Sequence, residues 1–218
     1  MAICIKFLGH ASFLIKAERA VIYFDLRKYG GVVETSEKAD LILVTHSHAD
    51  HVSSEKIEKV RKEGTVVIAP KKCVSKIGGE VKTLQPGEDT IVDSVKVRAV
   101  EAYNYRRFRP SGKPYHPKGY GVGYLISVGG KTIYHAGDTD FIPEMRQLGH
   151  VDVALLPTGN KYTMDKLEAA EATLAINPNV VVPMHSWDTD PEEFKKRVTA
   201  TSNIKVVLLE KGEEYQLS

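Results

Sequence analysis

Leu41-Ile42-Leu43-Val44-Thr45-His46-Ser47-His48-Ala49-Asp50-His51 is the stretch that decides the reading of this chain. The apolar run 41–44 predicts a short buried strand. The polar run after it packs three histidines and one carboxylate into six residues. A helix would not bring them together, because same-face neighbours on a helix are three or four residues apart. One strand face would not either, because the adjacent Asp50 and His51 would point oppositely. A turning loop aims all four at one point. The simplest reason to gather imidazoles and a carboxylate just past a strand is a first-row metal ion. In open α/β sheets, strand ends are where ligands bind.

Working outward, the 218 residues suffice for one sizeable domain with its own core. Hydrophobic residues make up 42% and charged residues 27%, an ordinary globular balance. A net charge of +2 gives no argument for nucleic-acid binding by itself. No apolar run is long enough to span a bilayer and no signal-peptide pattern opens the chain. Two cysteines, Cys4 and Cys73, each beside apolar residues, do not suggest a disulfide framework. A cytoplasmic location without membrane association is therefore expected.

Alternation predicts a hairpin over residues 2–8 and 11–17, turning at Gly9-His10, then a strand 21–24 ending at Asp25. Ser53-Ser54 caps a helix 55–62 that stops at Gly64. A strand 65–69, a short helix opened by Pro70 and strands near 81–84, 89–92 and 94–101 follow. Residues 102–119 form a stretch too long for an ordinary connection. A hairpin 121–128/131–135 turns at Gly129-Gly130, and strands 151–156 and 180–183 flank a helix begun by Asp165 with Glu168 three residues on. Asp190-Pro191 begins the last helix, and strands 204–209 and 213–216 close the chain. The pattern is a single α/β domain over 1–218 in two similar halves, with no linker or short-period repeat.

His46-x-His48-x-Asp50-His51 resembles the signature of the metallo-β-lactamase superfamily, and the similarity runs over nearly the whole chain. The resemblance implies a four-layer αββα sandwich and a hydrolase holding two divalent metal ions, zinc first, with manganese, iron or nickel as alternatives. It implies His46, His48 and His116 on one metal, Asp50, His51 and His185 on the other, and Asp138 of Gly137-Asp138-Thr139 bridging both. The third histidine departs from the usual pattern: relatives carry it near Tyr103-Asn104, where no His stands. His116 resembles a branch that places it farther along the loop, and His135 is the rival. Asp25 resembles a buried carboxylate that brace the metal loop in relatives, though Leu26 stands where they often have Pro.

Asp50 is the expected catalytic carboxylate, orienting water or carrying its proton. His10, in Gly9-His10-Ala11, is a candidate proton donor or substrate contact. Arg106, Arg107 and Lys118 lie in a long segment without acidic residues, interleaved with Tyr103, Tyr105, Phe108, Tyr115 and Tyr120. That mixture suits an anionic substrate, with guanidinium for phosphate and rings for a base or sugar. The expected activity is hydrolysis of a phosphodiester or other phosphorylated small molecule of nucleotide type, with nucleic acid as a further substrate class. The alternatives are a lactonase on a sugar-derived or phosphorylated lactone, or a metal- or nucleic-acid-binding module without catalysis. Self-association into a homo-oligomer is in keeping with the family.

Overall fold

The computed structural model describes residues 2–29, 35–187 and 189–218, so Met1, residues 30–34 and Asp188 of the expected 1–218 domain lie outside the described residues. Alternation builds the first sheet. In β1 (Ile3–Gly9), β2 (Ser12–Ala17) and β3 (Ala20–Phe24), residues such as Ile5, Phe13, Ile15, Ile22 and Phe24 face one core, while Leu8, Leu14 and Tyr23 face another. This is the period-2 division of a pleated strand buried on both faces. β4 (Leu41–Leu43), β5 (Val66–Ala69) and β6 (Lys82–Thr83) continue the sheet in parallel. β14 (Glu214–Leu217) pairs antiparallel on the other side of β1.

The second sheet runs β13 (Lys205–Val206), β12 (Val180–Met184), β11 (Val153–Pro157), β10 (Lys131–His135), β9 (Gly121–Val128), β8 (Val95–Ala102) and β7 (Asp89–Val92). The two seven-stranded sheets face each other across one apolar core. Helices α1 (Ser54–Val60) and α2 (Val74–Ile77) cover the outer face of the first sheet through Ile57, Val60 and Ile77. Helices α3 (Lys166–Ile176) and α4 (Pro191–Thr201) cover the second through Ala169, Ala172, Phe194 and Val198. The result is the expected αββα sandwich.

Most boundaries agree with the sequence to within two residues. The expected strand 204–209 is shorter, only Lys205–Val206 pairing with β12. A 3-10 turn over Pro143–Gln147 was not foreseen. Glu168 does not close a capping box at α3. Asp165 caps the helix, accepting from the Leu167 and Glu168 amides, while the Glu168 carboxylate is buried and accepts from the Phe141 amide and Arg107. Among the described residues no helix is long and apolar enough to cross a membrane.

Candidate metal centre

The C-terminal ends of β3, β4, β8, β10 and β12 and the β1–β2 turn deliver side chains to one rim of the sandwich. Non-glycine residues there adopt left-handed backbone, among them His10 (φ 62°), Asp25 (φ 46°) and His185 (φ 52°). Such conformations carry a cost and gather where a site over-determines them. The His10 carbonyl accepts from the His185 amide at 2.8 Å, tying the hairpin turn to the end of β12.

Buried Asp25 organises the first motif. It accepts from the Thr45 amide (2.8 Å), the Thr45 hydroxyl (2.7 Å) and His51 Nδ1 (2.7 Å). The Thr45 hydroxyl proton is thereby committed, so its lone pair accepts from His46 Nδ1 at 3.0 Å. Both rings are left with Nε2 facing the cluster as a lone-pair donor, the tautomer a metal requires. Asn104 does the same for His116. Its amide nitrogen donates to Asp140 (2.9 Å) and its carbonyl oxygen accepts from His116 Nδ1 (2.7 Å) and the His116 amide (2.9 Å).

His46 Nε2 and His116 Nε2 each lie 3.1 Å from His48 Nδ1. Asp138 stands between this trio and a second group. Its Oδ2 is 3.3 Å from His116 Nε2, 3.3 Å from His185 Nε2 and 3.8 Å from His46 Nε2, and its Oδ1 is 3.2 Å from His51 Nε2. Asp50 Oδ2 lies 3.2 Å from His10 Nε2, 3.8 Å from His185 Nε2 and 3.9 Å from His51 Nε2. The ligand atoms of His46, His48 and His116 fall within 4.8 Å of one another, as do those of His10, Asp50, His51 and His185. His10 therefore stands in a group able to hold a metal as well as beside Asp50.

The donor set fits divalent cations. His51 Nε2, His185 Nε2 and Asp138 Oδ1 are buried yet make no hydrogen bond, and buried polar atoms left over in this way call for a partner. Burial pushes the His46 imidazole well below its usual range and brings His10 and His116 to about 4. All three imidazoles are thus neutral at pH 7, the form that His46 and His116 need as ligands. Burial alone would raise Asp138, but His185 and His51 outweigh it and hold that carboxyl well below the usual range. Burial alone would lower His51 and His185, yet Asp138 outweighs it at both, joined at His51 by Asp25, so both are raised.

His135 is occupied elsewhere. Its Nε2 lies 2.9 Å from the Ala11 carbonyl, its Nδ1 accepts from the Gly137 amide at 3.2 Å, and its ring stacks on Phe24 at 4.8 Å. Nε2 thus ties the end of β10 to the β1–β2 turn of the other sheet, while Nδ1 is taken up locally.

The three basic residues expected at the substrate lie against carboxylates. Arg107 is bound to Asp140 and Glu168, both at 2.6 Å, with Asp165 at 3.7 Å. Arg106 lies 3.7 Å from Glu168. Lys118 pairs with Glu144 (2.9 Å) and Glu101 (3.4 Å) over the Tyr103 ring. These carboxylates come from outside the segment, so a stretch free of acidic residues could not reveal them. Asn104 and Asp140 were missed, although Asn104 occupies the very place where a histidine was sought.

A family model described as the beta-lactamase superfamily domain matches residues 4–185. The chain belongs to the metallo-β-lactamase superfamily. Within the superfamily it is 37% identical to a UPF0173 metal-dependent hydrolase of Thermococcus kodakarensis, over 98% of this chain and 99% of that one. It is 31% identical to a UPF0173 metal-dependent hydrolase of Pelotomaculum thermopropionicum over the same shares. Among solved structures it resembles a metallo hydrolase from Ignicoccus hospitalis, with a TM-score of 0.80, 27% identity and coverage of 100% and 99%.

Proposed function

We propose that this chain, a metal-dependent hydrolase of the metallo-β-lactamase superfamily, works with two divalent cations on a phosphodiester or other phosphorylated small molecule. The observation that carries this is the place of Asp138, whose Oδ2 is equidistant, at 3.3 Å, from His116 of one group and His185 of the other. A carboxylate so placed suits a two-cation centre with ions roughly 3.5–4 Å apart. His46, His48 and His116 would hold one cation, Asp50, His51 and His185 the other, with Asp138 between. Such a pair, when bound, polarises a phosphoryl or carbonyl oxygen and lowers the pKa of water.

The chain's own residues supply position and proton handling. Asp50 is the most exposed of the cluster's carboxylates, at 30% of its side chain against 3% for Asp138. It can accept a proton from water at the rim and pass it to His10, 3.2 Å away. Asp25 and Asn104 lock the His51 and His116 rings so that binding costs little reorganisation. Support for an anionic substrate comes from guanidinium groups other than those expected: Arg27 acts electrostatically on Asp50, and Arg109 on His48. Two free, buried cysteines are in keeping with a cytoplasmic enzyme.

The test is hydrolysis of a chromogenic phosphodiester by metal-stripped protein re-supplied in turn with zinc, manganese, iron and nickel. Turnover restored by metal and lost in His116→Ala is expected. Turnover of lactones alone would shift the substrate assignment, and no turnover of either with any metal would overturn the hydrolytic reading.

A further inference from the structure

A cleft of about 390 Å³ opens beside the candidate metal centre and shares His10 and His185 with it. Phe7, Trp187, Leu208 and Leu209 give it apolar walls, and Arg27 is its cation. Arg27 differs from the basic residues of the long loop. It is partly buried, its Nε donates to the Tyr29 carbonyl, and it forms no ion pair among the described residues. A guanidinium is always charged; Asp50 attracts it from beyond ion-pair distance, so among the described residues its donors meet no carboxylate directly and an anion entering the cleft can take that place. Trp187 is the second feature. It is 53% exposed and has φ +48°, uncommon for a bulky residue. Its ring meets His10 edge-on at 4.9 Å and His185 at 5.6 Å. An exposed tryptophan held in a costly conformation over the site's own histidines is the mark of a functional surface.

We propose that this cleft is the substrate-recognition subsite and that the substrate is an amphipathic organic anion, its aromatic or apolar portion lying on Trp187 and Leu208 and its anionic group held by Arg27. This rests on the hydrolase reading for its purpose, since the scissile bond would face the histidine–aspartate cluster. Binding to the cleft does not need turnover, which lets the two be tested apart. It also makes the enzyme selective: a small inorganic anion meets only Arg27, whereas an aryl-substituted one also removes apolar surface from water.

Trp187 is the chain's only tryptophan, so selective excitation of its indole reports on the cleft. Phenyl phosphate, phenylacetate and inorganic phosphate are titrated into metal-stripped protein, where the cluster cannot capture the anion through a metal. Phenyl phosphate is expected to change the emission saturably, at a concentration at least tenfold below that for inorganic phosphate. Phenylacetate tells whether the cleft prefers phosphate or carboxylate, and tighter binding than inorganic phosphate by either aryl anion supports the proposal. Arg27→Gln should weaken the aryl anions about tenfold, Arg27→Lys should restore part of the loss, and Leu208→Glu should weaken them by adding a negative wall. Equal affinity for inorganic phosphate and both aryl anions, no saturable response, or full affinity in Arg27→Gln would overturn the subsite. Intact cleft binding without metal-restored hydrolysis would instead fault the hydrolase reading alone, and hydrolysis with a KM indifferent to Arg27→Gln would fault the subsite alone.

Discussion

Replacing Asn104 by alanine should weaken one metal position and spare the other. Asn104 is buried and touches no ligand atom aimed at the cluster. Its oxygen takes both the backbone and the Nδ1 protons of His116, at 2.9 and 2.7 Å, and its nitrogen anchors to Asp140 at 2.9 Å and to the Tyr162 carbonyl at 3.1 Å. Alanine frees the His116 ring to rotate and to take the other tautomer, in which Nε2 carries the proton. Losing the outer partner of a ligating histidine typically weakens metal affinity about 10–100-fold, or roughly 1.4–2.8 kcal/mol. The unpaired His116 and Asp140 groups add a folding cost of about 1–3 kcal/mol. The assay is zinc titration against a competing chromophoric chelator, with circular dichroism to confirm the fold at the working temperature. One equivalent should weaken by that factor while the equivalent assigned to Asp50, His51 and His185 keeps its affinity. Equal weakening of both, or wild-type affinity for both in a folded variant, would refute the chain of orientation from Asp140 through Asn104 to His116.

Other expectations follow from the same contacts. Asp25→Ala strips His51 Nδ1, the Thr45 amide and the Thr45 hydroxyl of one shared buried acceptor. It should cost about 3–5 kcal/mol and diminish zinc binding, read by denaturant unfolding and by metal content. Arg107→Ala leaves Asp140 and Glu168 buried without their cation. Tm should fall by roughly 6–20 °C, and substrate KM should change less than in Arg27→Gln, the reverse of what a substrate-binding Arg107 would give. In Gly121→Ala the new Cβ would lie 2.8 Å from His46 Cβ and 3.0 Å from the Thr45 carbonyl, so metal affinity should drop, as measured by chelator competition. Burial pushes the Cys73 thiol up to about 12 from an ordinary 9.0. The folded protein thus favours the neutral thiol, and its stabilisation is complete below pH 9 and lost as pH rises from there toward 12. Cys73→Ala should flatten the alkaline decline of Tm, and native Cys73 should resist alkylation at pH 8 until the protein is unfolded.

Local patterns made much of this fold readable. The hairpin pattern of 2–8 and 11–17, the apolar run 21–24, the Gly129-Gly130 turn and the Asp165 and Asp190 caps are signals carried within a few residues, and the structure has each of them. The compact His46-to-His51 motif belongs to the same kind, because one loop holds all its members. What could not be read were partnerships over long sequence distance. Arg107 meets Glu168 across 61 residues, and His135 reaches Ala11 across 124. From sequence alone the basic loop is read as facing substrate and His135 as the rival to His116, while the carboxylates and the Ala11 carbonyl that meet them in the fold are invisible. Arg27 and Trp187 carried no motif at all, and only the folded surface joins them in one cleft.

The most direct measurement is the number of zinc ions per chain in protein stripped and then reconstituted with excess zinc and desalted, for the wild type and for Asp138→Ala. Two equivalents are expected in the wild type and fewer than two, with phosphodiester turnover lost, once the shared carboxylate is gone. A wild type that retains no more than one equivalent, or an Asp138→Ala variant that retains both, would contradict the two-cation centre.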